Sequence, residues 1–404
     1  MNHTKQHQTI ISVVLLLTLI TPCLTWAQKK ELSQARTYIK SGKDFDKAEK
    51  LMTDLIKKDS ASRENKKVYL TWFEAVEKQH EAANERLYLK QKQDTAVFFD
   101  LTRRMFIILE HLDSIDMRPD KKGRVDIEYR ERHAALLDGH RANLYNGGIY
   151  FVRKADYQQA FDYFEHYIDC DRQPLFSGRD YQKNDPRMAT AAYWATYSAY
   201  QLKDAVLTLR HRQLALGDTA KAAFVIMYIA EARKWLKDNE LYIESLEEGF
   251  RRFPTFHYFF PRLMDEYYRT ASWDKALLTA DTALSVNDSS QLFLFAKCTT
   301  LLKMERYQEC IEVSDRLIAL NDTLSEAYFN AGTSYLQLTQ SLDERKDKKR
   351  LKDLYQHART YMERYRQLMP AEQQKWAPAL YRIYLNLNMG RQFDEIDRIL
   401  QNKR

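Results

Sequence analysis

The chain has 404 residues, 63 Lys and Arg against 56 Asp and Glu, and only 10 Gly and 8 Pro. So few turn-formers, against usual frequencies of roughly 7 % and 5 %, exclude β-sandwiches and barrels and leave a mostly helical protein. The net charge of +7 is spread in short pairs such as Arg103-Arg104, Lys121-Lys122 and Arg251-Arg252 among acids, which describes solvated helix faces and excludes a nucleic-acid surface.

The first segment reads as an export signal, because Lys5 precedes the apolar run Ile10 to Ile20 and Thr25-Trp26-Ala27 offers a cleavage site after Ala27. That run holds 11 residues, whereas a helix needs about 20 to cross the hydrocarbon core. Residues 1–27 are therefore expected to be removed, leaving an exported chain, periplasmic or at the cell surface, with no transmembrane span. Pro22 stands immediately before Cys23, where a lipoprotein signal carries a small residue, and this argues against a lipid anchor there.

Next, Phe45, Ala48, Met52 and Leu55 recur at helical spacing. Residues 62–118 read as helices with aromatic stripes (Tyr69, Trp72, Phe73, then Phe98, Phe99, Phe106) but match no repeat. A hairpin over residues 141–174 carries Leu144, Gly148 and Phe151 on its first helix and Tyr157, Ala160 and Phe164 on its second, with Gly147-Gly148 read as a helix contact. The chain's scarce turn chemistry gathers just beyond it. Residues 175–186 are therefore expected to be an irregular connection between an N-terminal array, 28–174, and a C-terminal array, 187–404. Residues 187–216 read as an imperfect helix pair outside the repeat.

From residue 257 the sequence repeats every 34 residues. The fourth place of successive units holds Phe260, Leu294 and Tyr328, the eighth Met264, Cys298 and Gly332, and the eleventh Tyr267, Leu301 and Tyr335. In the second half, Tyr242, Ala276 and Cys310 recur at the twentieth place. Small residues at the eighth and twentieth places let two antiparallel helices approach, while large ones fill the groove beside them. A hairpin alone cannot bury its apolar stripe, so such units stack. The fourth unit carries an insertion near 341–354: Ala358, Met362, Tyr365 and Pro370 arrive 14 residues late, and the charged inserted stretch is expected to lengthen both helices. Trp376 to Leu400 forms a last hairpin, with Phe393 and Ile396 on its inner face.

This layout resembles the tetratricopeptide repeat (TPR) family, whose loose consensus of Trp, Leu, Gly, Tyr, Ala, Phe, Ala and Pro is met in part by several units. Residues 141–174 match best, the unit ending at Pro254 keeps the terminal proline, and Tyr242 departs from the pattern. The resemblance implies an all-α, right-handed superhelical solenoid of antiparallel hairpins that binds a partner protein or peptide. In that family the first helix of each hairpin lines the concave groove. Carried over, its groove positions are Met227, Glu231, Lys234 and Trp235; then Tyr258, Asp265, Tyr268 and Arg269; then Leu292, Phe295, Thr299 and Lys303; then Glu326, Phe329, Thr333 and Gln337. The Lys and Asn with which family members hold a C-terminal carboxylate are not at these places, so that activity is not implied.

Catalytic and ligand spacings are lacking: there is no His-Glu-x-x-His, no Gly-x-Gly-x-x-Gly, no phosphate-binding loop and no Cys-x-x-Cys. No enzyme activity, cofactor or metal is expected. His133 and His140, two helical turns apart, read as solvated side chains rather than metal ligands. Cys298 and Cys310 occupy the eighth and twentieth places of one unit, where its helices touch, so an oxidising compartment could join them; otherwise each serves as a small buried residue, and Cys170 stays unpaired. The function expected is a non-enzymatic interaction scaffold in the cell envelope. The alternative is a glycan-binding surface protein, with 26 Tyr and 6 Trp as stacking platforms.

Overall fold

The computed structural model describes residues 28–120 and 122–401, so the export signal and Cys23 lie outside the described residues. Among the described residues every regular element is helical, and the chain divides into two compact units, one ending at Leu236 and one beginning at Lys237.

The first unit begins with α1 (residues 28–40) and α2 (Phe45–Lys58). Two long helices follow, α3 (Lys66–Tyr88) and α4 (Thr95–Asp116), then α5 (Arg130–Arg153), α6 (Tyr157–Asp169), the single turn α7 (Tyr181–Asn184), α8 (Met188–Gln201), α9 (Ala205–Arg210), α10 (Arg212–Ala215) and α11 (Ala222–Trp235). Neighbours in sequence are neighbours in space: α3 packs on α4, α5 on α6, α6 on α8, and α8 on α9 and α11. With 23 and 22 residues, α3 and α4 make a hairpin longer than the repeat allows, which is why residues 62–118 show no 34-residue match.

The second unit comprises α12 (Asn239–Arg252), α13 (Phe259–Arg269), α14 (Trp273–Val286), α15 (Gln291–Lys303), α16 (Tyr307–Leu320), α17 (Ser325–Leu338), α18 (Lys348–Leu368), α19 (Gln373–Asn386) and α20 (Gly390–Gln401), each packed on the next. The inserted charges do not lengthen both helices of their hairpin. α17 keeps 14 residues and only α18 grows, to 21. The reason is local: the Asp343 carboxylate accepts the amides of Arg345 and Lys346, both at 2.9 Å, and this side-chain turn competes with helix over the connection.

The 34-residue period is written into the backbone as well. Lys203, Lys237, Ala271 and Glu305, spaced 34 apart, all adopt left-handed φ between 51° and 59°, each two residues after a first helix. The amide that follows closes back on the helix, Asp204 onto the Ala199 carbonyl at 3.1 Å, Ser272 onto Tyr267 at 2.8 Å and Arg306 onto Leu301 at 2.9 Å. Helix-ending carbonyls are thereby satisfied. The reversal also delivers an N-cap to the second helix: Asp156, Asp204 and Asp238 accept the amides of Gln159, Leu207 and Leu241 at 3.2, 2.9 and 3.2 Å. Residues 187–216 therefore stand in register after all. Their second helix breaks at His211 into α9 and α10, and the break hides the period from the sequence.

The connection over 175–186 is irregular, a 3-10 turn at Pro174–Phe176 followed by α7. Leu175 and Phe176 are nevertheless buried and α6 packs on α8 across it, so one apolar core runs through the first unit from Tyr69 to Ile229. Gly147 and Gly148 sit where α5 crosses α6. A Cβ on Gly147 would lie 2.8 Å from the Tyr163 ring, and one on Gly148 would lie 2.6 Å from the Phe164 ring. Both glycines are contact points, as their sequence context suggested.

Histidines are built into this core. His80 on α3 is buried with its ring 4.7 Å from Phe98 and 4.8 Å from His140 on α5. Burial, reinforced by the charge His140 would carry, pushes its pKa down to about 4. Burial lowers His133 and His140 in the same direction. A histidine depressed in the folded state binds fewer protons there than when unfolded. Its contribution is complete above the unfolded value of about 6.5 and is lost as the pH falls from there through about 4. Thermal unfolding followed by circular dichroism should show stability falling across that window by about 3 kcal/mol for His80. His80→Leu should flatten the profile, and an unchanged slope would refute the assignment.

Candidate functional site

The first helices of adjoining hairpins lie side by side in the second unit. Tyr268 of α13 reaches across to α15, its hydroxyl donating to the Ala296 carbonyl at 2.9 Å and lying 3.0 Å from the Thr300 hydroxyl. Asn330 of α17 reaches back, its amide 3.2 Å from the Cys298 sulfur and 3.4 Å from the Thr299 hydroxyl.

These links sort the expected groove residues into two kinds. Asp265, Arg269, Leu292, Phe295, Lys303 and Glu326 are exposed on α13, α15 and α17. Arg269 is tethered to Glu266 by a bidentate contact at 2.6 and 3.0 Å on its own helix. Leu292 and Phe295 keep 50 % and 37 % of their surface open, more than the core needs. The other kind is structural. Tyr258 is buried under the Arg262 guanidinium, 3.9 Å from its ring centre. Tyr268 is an internal strut between helices, and Phe329 packs 5.1 Å from the Tyr365 ring. Thr299, Thr333 and Gln337 are half-buried. On α11, in the first unit, Lys234 is exposed while Met227, Glu231 and Trp235 are half-buried, Trp235 stacking on Tyr200 at 5.5 Å.

Cys298 and Cys310 meet at the crossing of α15 and α16 but are not joined. The Cys310 thiol turns to the Cys298 carbonyl, 3.2 Å away, and Cys170 is likewise free and buried. Burial pushes the Cys298 thiol up to about 11 and raises Cys310 and Cys170 in the same direction. Iodoacetamide at neutral pH should therefore leave all three unmodified in the folded protein and label them only after denaturation. A mapped Cys298–Cys310 bond would overturn this arrangement.

The pair His133 and His140 does not converge either. His133 stacks on Tyr129 at 5.5 Å, whereas His140 faces His80. Among the described residues no three metal-ligating side chains gather, and no helix is long and apolar enough to cross a membrane.

An aromatic face on α8 is not singled out by the 34-residue pattern, because the broken second helix conceals that hairpin. Its signal was available as Tyr193, Tyr197 and Tyr200, one helical face turn after turn.

No family model matches the chain, and no curated protein matches it. Several solved structures do. The C-terminal part of a TPR repeat-containing protein from Cytophaga hutchinsonii shares 10 % identity with a TM-score of 0.40, covering 62 % of this chain and 92 % of that one. Yeast Tom70 shares 11 % identity with a TM-score of 0.33, covering 94 % and 91 %. The TPR2AB domain of yeast Sti1, solved with pHSP90, shares 15 % identity with a TM-score of 0.26, covering 75 % and 96 %. These likenesses are loose, and the repeat itself carries the assignment. With left-handed turns recurring every 34 residues and small side chains where paired helices cross, the chain is a tetratricopeptide-like array of helix hairpins.

Proposed function

We propose that the protein is an exported, non-enzymatic scaffold of the cell envelope that binds a partner protein or an extended peptide along its first helices. The observation that supports this most is the open apolar pair Leu292 and Phe295 on α15, flanked by Asp265 and Arg269 on α13 and Glu326 on α17. An apolar anchor inside a charged rim is how interfaces concentrate affinity and selectivity. α13, α15 and α17 themselves carry Arg262, Arg269, Lys297 and Lys303 against Asp265, Glu266 and Glu326, so the rim is mixed in charge and the apolar pair anchors the guest.

A photo-crosslinking amino acid in place of Phe295, compared with one in place of the exposed Glu312 on α16, tests the reading in the native envelope. A discrete protein adduct is expected from position 295 alone, lost on Arg269→Glu. Equal labelling from both positions, or sugar binding on a glycan array with no protein retained, would count against it. Export is tested separately, by a mature N-terminus at Gln28.

A further inference from the structure

In the first unit, α8 bears no charged side chain from Met188 to Gln201. Alanines 191, 192, 195 and 199 fill its buried side together with Tyr193, while Trp194, Tyr197 and Tyr200 pack against the edge of that core. Those rings form a continuous strip with the neighbouring α11. Trp194 lies 5.0 Å from Tyr193 and 5.6 Å from Tyr197, Tyr197 lies 6.0 Å from Tyr228, and Tyr228 lies 4.5 Å from Tyr200, which stacks on Trp235. Trp194, Tyr197, Tyr200 and Trp235 are only half-buried, so the strip presents area to solvent.

Positive charge flanks it. The exposed Arg187 guanidinium is 5.9 Å from the centre of the Tyr145 ring, and the exposed Lys221 ammonium is 5.9 Å from the centre of Tyr193. Residues 187–236 hold seven Lys and Arg against three Asp and Glu. Of these charges Arg210 is paired with Glu165 at 2.6 Å, and Asp218, which accepts the Thr190 hydroxyl at 3.0 Å, keeps its negative charge near the Tyr145 and Tyr193 rings. With Arg210 set aside, six Lys and Arg still face three Asp and Glu over 187–236, and this balance favours an anionic guest.

We propose that this strip docks an extended acidic segment of the partner protein, with carboxylates toward Arg187 and Lys221 and apolar side chains against the rings. The proposal rests on the scaffold reading above and adds the guest's chemistry at a second surface. Sugar stacking is disfavoured by ring geometry. Trp194 meets Tyr197 at 86° and Tyr157 meets Tyr197 at 84°, while Tyr200 and Trp235 cover one another's faces, so flat open platforms are few. Ring edges carry partial positive charge, which suits carboxylates instead.

The test uses the full mature chain and three probes: a labelled peptide rich in Glu and Pro, the same peptide with Lys for Glu, and an oligogalacturonate. The acidic peptide should bind, quench tryptophan fluorescence and weaken with added salt; the basic peptide and the oligogalacturonate should not bind. Arg187→Glu with Lys221→Glu should weaken the acidic peptide by about tenfold or more. Both side chains are exposed, so the fold survives, and unchanged circular dichroism verifies this. Equal binding of both peptides, indifference to the charge reversal, or binding of the oligogalacturonate alone overturns the proposal. If the peptides fail while position 295 still captures its partner, the acidic-guest assignment falls and the scaffold stands. If position 295 fails as well, both fall.

Discussion

Replacing Asp185 with Ala should lower the stability of the first unit by about 3 to 5 kcal/mol, the cost of leaving a buried charge without its partner. Arg141 of α5 is the charge concerned. It is buried, with its guanidinium 3.8 Å from the ring centres of both Tyr167 and Tyr181. It pairs with the Asp185 carboxylate and donates to the Tyr167 carbonyl at 3.0 Å. The Tyr167 hydroxyl also donates to Asp185, and the Tyr181 hydroxyl to Asp138. Burial alone would raise the Asp185 carboxyl; the bonds from Tyr167 and Arg141 outweigh it and hold the group below the usual carboxylate range. Asp185→Ala strands both the guanidinium and the tyrosine hydroxyl. Arg141→Met should cost less, because Asp185 keeps a donor and stands nearer to solvent. The double variant should be more stable than Asp185→Ala alone, since no orphaned charge remains. Urea unfolding of the four proteins checks this, and simple additivity would show that the pair is not coupled.

A loss of about 3 kcal/mol is expected for Gly148→Val. A Cβ at that position would meet three atoms of the Phe164 ring at 2.6 to 2.7 Å, and Phe164 is itself fully buried against the rest of the core. The ring has nowhere to go. Helix propensity works the other way by less than about 1 kcal/mol, so the clash decides the sign. Gly139 on the same helix is the control, because a Cβ there meets nothing within 4 Å. Gly139→Ala should raise stability by up to about 1 kcal/mol. If Gly148→Val and Gly139→Ala moved the urea midpoint in the same direction, close packing would not explain Gly148.

Much of the architecture was legible because it rests on local chemistry. Composition excluded strands, and the pattern of large and small residues gave hairpins at Gly147-Gly148, Cys298 and Cys310 that the structure places at helix crossings. The two regions without a visible period failed for different reasons. In α3 and α4 the helices are too long for the repeat, whereas in α8 to α10 the period is intact and one helix is broken. Groove positions transferred less well. The repeat fixes which way a Cβ points but not how far a neighbour extends to meet it, so Tyr258 and Tyr268, expected to face a guest, are engaged within the array.

By itself, then, the sequence determined the helices, their pairing and the 34-residue beat, because helical periodicity, side-chain size and capping act over a few residues and are written consecutively. The tertiary structure decided which side chains remain available. Whether Cys310 turns to Cys298 or to a carbonyl, whether His140 finds His80, and whether Arg141 lies between two tyrosines depend on residues from 12 to 60 positions away. Exposure is a property of such long-range packing, and no local pattern records it.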